Sequence, residues 1–496
     1  MSKLQVSDNK QTFWLAFGKV ISLIATLIVP LFLTRFLNKS EYGFYNQFNT
    51  ILFFLSSFFT FGMFSNLYYF YPSIPKSKLK SLIVNTFLLL LIFGLLAAIF
   101  VFIPFFSNFF LANQQLQDYK IVIYVLSLIL TLTTIIHPLY VVRKDIGVSV
   151  WFPSFQVAIK AIAIVGFYYV IPSINSVINA IIISSILVLI IVISYLIKIF
   201  KTLPSRQVVD NTLLKQQFIY NLPIGLAVAL KTFSQRFDKL IGITYLSATS
   251  YATYSVAFFG IPGIQQVYDS ISQVTVINMV KCFSDNEIEK AHKLYKNMVV
   301  KTMSFSVPII LIVCINAKSI LTFLFTEAYA DATVLFQMYL ISFVFVMLGS
   351  GLILRASGHT KYIIKAFLMA SVISIPATYF LIKQYGSVGA MAGALLSIIL
   401  PKIYQVKKEI EITKSSLSTF LLWNSIGKIF LISIAVLVPL FVLQLYVVLS
   451  NIILVVFTSC VYLLIVSYIL LSQDLFIISK VKLVALIADL KTKFKR

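Results

Sequence analysis

Apolar residues in this chain come in long unbroken runs separated by short polar segments, from about residue 12 to residue 473. A run of about 20 apolar residues, rising 1.5 Å per residue, crosses the ~30 Å hydrocarbon core of a bilayer as a helix. The runs show no period-two alternation, and most exceed the roughly ten residues of a barrel strand, so they predict helices. About fourteen are expected, near residues 12–36, 46–70, 81–106, 119–142, 148–171, 175–197, 216–246, 250–280, 299–325, 332–356, 362–383, 387–411, 418–447 and 451–473.

Composition turns that pattern into a class. Of 496 residues, 60% are hydrophobic and 11% charged, with a mean hydropathy of +0.97; a soluble domain carries about 25% charged residues, which makes this an all-α polytopic membrane protein. The net charge of +24 would suggest nucleic acid if it sat in one basic domain, but the cations lie in small clusters between spans and report topology instead. With a cytoplasmic N-terminus, one side collects Lys76, Lys78, Lys80, Arg143, Lys144, Lys201, Arg206, Lys215, Lys290, Lys293, Lys296 and Lys402, in all roughly 29 of the 40 basic residues, a strong positive-inside signal. Both termini are expected in the cytoplasm. The opposite loops are short and poor in Lys and Arg, so no external domain for a soluble ligand is expected. Residues 1–11 are polar and the first apolar run lacks a small-residue cleavage site, which reads as an uncleaved first span. Cys282, Cys314 and Cys460 show no metal or disulfide spacing.

An offset of about 210 residues relates Leu37–Tyr45 (LNKSEYGFY) to Leu246–Tyr254 (LSATSYATY), and Arg143 to Arg355. Six spans separate the copies, an even number, so the halves share one orientation. The expected architecture is two six-helix lobes, a parallel repeat around a central cleft, with two extra C-terminal helices. The lobes are placed at 1–200 and 201–411, the helix pair at 412–473 and a basic amphipathic tail at 474–496. Two segments read as interfacial helices: Ser284–Asn297, opened by a Ser-x-x-Glu capping pattern, and Leu475–Phe494.

The seventh span breaks the apolar rule. Phe218–Leu246 carries Lys231, Arg236, Asp238 and Lys239, and a charge at membrane depth costs several kcal/mol unless it faces protein or water. Lys231, Gln235 and Asp238 fall at i, i+4 and i+7, with Arg236 in the neighbouring stripe, so one polar face is predicted to line a cavity. Lys19 in span one and Lys160 in span five, with Gln156 four residues before it, are the other intramembrane cations singled out as substrate-binding candidates. Cations converging on one cavity repel one another unless an anion sits among them. Asp238 and Asp269 are the candidates for a gate or an ion-coupling site. Lys428 reads as a snorkelling lysine, His137 as a structural contact, and Gly351, Gly358 and Pro30 as packing or kink positions.

Three stretches carry a family likeness: FGKVISLIATLIVPLFLTRFLNKSEYGFYNQF at the start, FDKLIGITYLSATSYATYSVAF around Asp238, and GSGLILRASGHTKY near residue 355. They resemble the polysaccharide flippases of the multidrug/oligosaccharidyl-lipid/polysaccharide exporter superfamily, and the likeness covers nearly the whole chain. It departs at Ala252, where the pattern usually has Gly, as the first copy does at Gly43. The resemblance implies a substrate made of an oligosaccharide linked through diphosphate to a polyprenyl lipid, turned from the inner to the outer leaflet for O-antigen, capsule or exopolysaccharide assembly. Membrane lipids and other polysaccharide assembly proteins would be its partners. There is no Walker A, no GxSxG and no metal-spaced His/Asp/Glu cluster, so no enzyme and no cofactor is expected. A lipid II flippase also needs cations for a diphosphate. A drug/cation antiporter needs cavity carboxylates, and span one offers Lys19 and no acid. A membrane-embedded glycan polymerase or ligase needs a large outward loop, whereas none here exceeds roughly a dozen residues.

Overall fold

The computed structural model describes residues 26–111, 113–203, 208–261, 263–446, 452–473 and 475. Among them every regular element is a helix, and ten helices are long and apolar enough to cross a membrane. By contact the chain divides into two compact units after Ala252.

The first unit contains α1 (Thr26–Phe36), α2 (Lys39–Phe59), α3 (Phe64–Phe70), α4 (Leu79–Phe102), α5 (Pro104–Phe110), α6 (Gln114–Asp118), α7 (Lys120–Thr133), α8 (Ile136–Val142), α9 (Ile146–Val170), α10 (Ile174–Thr202) and α11 (Asn211–Tyr245). Its core joins Leu82, Ile83 and Leu90 of α4 to Leu132 of α7, Leu139 of α8 and Val192 and Leu196 of α10. Asn38 starts α2 with a full capping box, its side chain accepting from the Glu41 N–H while the Glu41 carboxylate accepts from the Asn38 N–H. The second copy is capped at the matching place: Ser247 Oγ accepts from the Ser250 N–H (3.2 Å) at the start of α12 (Ala248–Ala257). These two starts meet. A Cβ on Gly43 would lie 1.8 Å from the Ala248 carbonyl oxygen, so the first copy needs glycine where the second tolerates Ala252.

Helix α11 belongs by contact with the first unit and is held there by polar groups. Asn85 Nδ2 donates to the Asp210 carbonyl (2.9 Å), Gln217 Nε2 donates to Thr86 Oγ1 (2.8 Å), and Asn221 Nδ2 donates to the Phe61 carbonyl. Residues 210, 217 and 221 share one face. Bonds between buried polar groups are each worth about 1 kcal/mol net, and an orphaned partner costs more.

The second unit contains α13 (Ile264–Ser284), α14 (Ile288–Ile315), α15 (Ala317–Phe325), α16 (Thr333–Met347), α17 (Leu352–Ala356), α18 (Lys361–Thr413), α19 (Leu417–Phe420), α20 (Trp423–Tyr446) and α21 (Ile452–Ser472). In α18 the backbone leaves helical geometry at Gly386, which makes it two spans. With α18 counted twice, α1, α11 and the pair α12 and α13 complete the set of about fourteen spans read from the sequence.

Two local readings are corrected. Span eight is not continuous: α12 ends at Ala257 and α13 begins at Ile264, after a turn containing Gly260 and Gly263, the latter at φ +93°. Ser284 does not cap a surface helix either. It finishes α13, its Oγ donating to the Lys281 carbonyl (2.8 Å); the chain turns at Asn286, and α14 then runs unbroken from Ile288 into span nine. The first turns of α14 pack on protein rather than lipid, since His292 is buried with Nε2 2.9 Å from the Phe420 carbonyl oxygen. The tail from 474 to 496 lies outside the described residues apart from Leu475.

Candidate functional site

Five helices of the first unit, α1, α2, α7, α9 and α10, enclose a cavity of about 480 Å³. Its floor is apolar, from Val29, Pro30, Leu52, Phe53, Leu130 and Val188. Into it α2 turns a polar stripe of Tyr42, Tyr45, Asn46 and Asn49, at helical spacing i, i+3, i+4 and i+7, and α9 turns Gln156 and Lys160 from the opposite wall. Lys160 Nζ donates to Asn49 Oδ1 (3.1 Å) and sits 5.7 Å from the centroid of the Phe53 ring. Asn49 is itself held, its Nδ2 donating to the Tyr45 carbonyl (2.9 Å). Thr26, Thr133, Ser184 and Ser185 add hydroxyls to the lining.

Among the described lining residues Lys160 is the sole charge and no carboxylate is present. Its neighbours are a neutral amide and a ring face, which orient an ammonium without neutralising it. The site offers a positive charge, several neutral donors and an apolar wall. It is suited to an anion carrying hydroxyl or hydrocarbon groups.

The other candidates separate. On α11, Lys231, Gln235 and Arg236 are exposed, but Asp238 is turned with Ser234, Phe237 and Ile241 onto the packed side and is 4% exposed. None of these four lines the cavity. Lys19 lies outside the described residues. Asp269 is an exposed residue of α13 that accepts from Gln265 Nε2 (3.0 Å).

Two groups escaped the sequence reading. The Tyr42, Tyr45, Asn46 and Asn49 stripe was legible as a polar face on an apolar span. Glu409 was not, because its surroundings, KKEIEITK, read as solvated charge. It is 0% exposed, and its Oε1 accepts from the backbone N–H groups of Gly351 (2.8 Å) and Ile353 (3.0 Å).

Residues 9–277 match the family model described as polysaccharide biosynthesis protein. The chain belongs to that family. No curated protein matches the sequence. Among solved structures, the fold of this polysaccharide biosynthesis protein is similar to that of the lipid II flippase MurJ in an inward closed conformation, with a TM-score of 0.71 at 16% identity over 93% of this chain and 99% of that one. It is also similar to a MATE transporter in complex with MaD3S (TM-score 0.51, 12% identity, 81% of this chain and 95% of that one). A MOP superfamily transporter from Pyrococcus furiosus, described as having a binding pocket of reverse polarity, matches with a TM-score of 0.51 at 13% identity over 82% of this chain and 95% of that one. At these identities the likeness is one of fold, and it is the fold of the superfamily that the sequence resembles.

Proposed function

We propose that this family member is a flippase that carries polyprenyl-diphosphate-linked oligosaccharide from the inner to the outer leaflet of the bacterial cytoplasmic membrane, with both termini in the cytoplasm. One observation carries the reading: Lys160 stands in a 480 Å³ cavity with neutral donors around it and no carboxylate among the described lining residues. That polarity suits an anionic lipid head and not a cationic drug. The family description, polysaccharide biosynthesis protein, supports a glycan-bearing substrate. Lys231 and Arg236, exposed on α11, add charge that at membrane depth needs water or an anion beside it. No protein carboxylate or ATP site is required for direction. Moving about two negative charges out of a negative interior gains up to ~4.6 kcal/mol per 100 mV.

The MurJ likeness supports a second reading in which the glycan is that of lipid II, since both substrates share the diphosphate. Depletion of the protein in its own host separates the two: accumulation of a lipid-linked surface-polysaccharide unit supports the first, accumulation of lipid II the second. Within the first reading, Lys160→Ala and Arg236→Ala should abolish flipping of a labelled lipid-linked sugar in vesicles at normal protein level, while Lys428→Ala leaves it intact. Equal loss in all three would remove Lys160 and Arg236 from the proposed transport path.

A further inference from the structure

On the outside of the first unit, away from the Lys160 cavity in composition and lining, α8, α9 and α10 leave an open groove of about 410 Å³. Its walls are apolar, from Ile136, Val148, Trp151, Phe155 and Ile191, and Tyr195 adds a hydroxyl to the lining. Trp151 and Phe155 remain 47% and 44% exposed, so the groove is lined but not filled by protein. From Gly147 to Phe155 it runs eight residues along α9, about 12 Å. That is close to the ~15 Å depth of one leaflet's hydrocarbon.

The polar end is fixed through Asp145. Tyr195 Oη donates to Asp145 Oδ2 (3.1 Å), while Asp145 Oδ1 accepts from the Val148 N–H (3.3 Å) and starts α9. This pins the α8–α9 turn beside Tyr195, and three cations gather at that end. Arg143 and Lys144 form the turn, Lys144 in a left-handed conformation at φ +56°. Lys198 follows Ile191 and Tyr195 at i+7 and i+3, on the same face of α10. The Arg143 Nε is buried without a partner. Asp145 offsets one of the three charges, so the mouth keeps an excess of positive charge over an apolar slot about one leaflet deep.

We propose that this groove is a binding site for an anionic phospholipid, one acyl chain lying along Trp151 and Phe155 and the phosphate resting on Arg143, Lys144 and Lys198. A cluster of cations at a membrane surface attracts anionic lipid at about 1 kcal/mol per charge. A neutral lipid of the same chain length gains only the apolar part.

Trp151 reports directly. With Trp14 and Trp423 replaced by Phe, the full chain is reconstituted in phosphatidylcholine vesicles, and chain-brominated phosphatidylglycerol or chain-brominated phosphatidylcholine is added in steps. The anionic lipid should quench Trp151 at a several-fold lower mole fraction. Lys144→Gln with Lys198→Gln, both exposed, should abolish that preference without changing the unquenched emission; Arg143→Gln should do the same where it folds. Equal quenching by the two lipids, or a preference that survives the double substitution, overturns the proposal. So does quenching by brominated polyprenyl phosphate at lower mole fraction than the phospholipid, which would give the groove to the transported lipid.

Discussion

Lys160 in the first unit and Glu409 in the second are both ionisable side chains set within apolar helical surroundings, and the protein treats them oppositely. Glu409 is completely buried and spends one oxygen on two backbone N–H groups, which fixes the Gly351–Ile353 turn against α18. Lys160 is half-buried, touches one neutral amide and faces open volume. A buried carboxyl whose partners are backbone groups is a fastening, because taking it away strands those groups without water. A charge beside empty polar space, supported only by groups that orient it, keeps its field for a ligand.

Substitution should divide the two residues accordingly. Glu409→Ala should produce the largest effect, a loss of about 3 to 5 kcal/mol of stability and of most folded protein, read by melting in detergent; Glu409→Gln, which still accepts both N–H groups, should recover much of it. Lys160→Met should do the reverse, with a melting temperature close to the parent's and lipid-linked sugar flipping reduced at least about tenfold. A Lys160 variant that failed to fold would erase the contrast. Between these lies Gln217→Leu, expected to cost about 1 to 2 kcal/mol because Thr86 loses its buried partner.

The smallest effect is expected at Asp210. The Leu213 N–H, and then Lys78, hold its carboxyl below the usual carboxylate range. A group whose folded pKa is depressed contributes stability that is present above its unfolded pKa and lost as pH falls through the folded one. Melting temperature should therefore decline somewhat more steeply below about pH 4 in the parent than in Asp210→Asn, with about 1 kcal/mol between them at neutral pH.

How much of this could be read beforehand depended on range. Span positions were legible because apolar runs of membrane length leave few alternatives, and the pairing of Gln156 with Lys160 followed from four-residue spacing on one helix. The break in span eight was missed although Gly260 and Gly263 were visible, since apolar residues continue on both sides and hydropathy does not register a backbone turn. Asp238 was assigned by spacing to the face of Lys231 and Gln235, but it stands at the edge of that face, next to the stripe of Ser234, Phe237 and Ile241 that is buried, and it goes inward with them. Glu409 could not be told from Glu411 by sequence. Both stand among lysines, yet Glu411 pairs with Lys408 at the surface (2.6 Å) while Glu409 meets a turn more than 50 residues away in the chain.

The elbow between α2 and α3 has a mechanical consequence. Phe61 and Gly62 stand in left-handed conformation there, at φ +49° and +66°, and the Phe61 ring lies in a notch that exists only because residue 225 of α11 has no side chain: a Cβ would come within 2.0 Å of that ring. Asn221 of the same helix grips the Phe61 carbonyl. Ring, notch and amide form a key seated in a shaft, so α11 cannot swivel about its long axis at this level without carrying the elbow along. Any stroke that re-aims Lys231 and Arg236 must then either bend α11 beyond the keyed turn or turn α2 and α3 as one linkage with it.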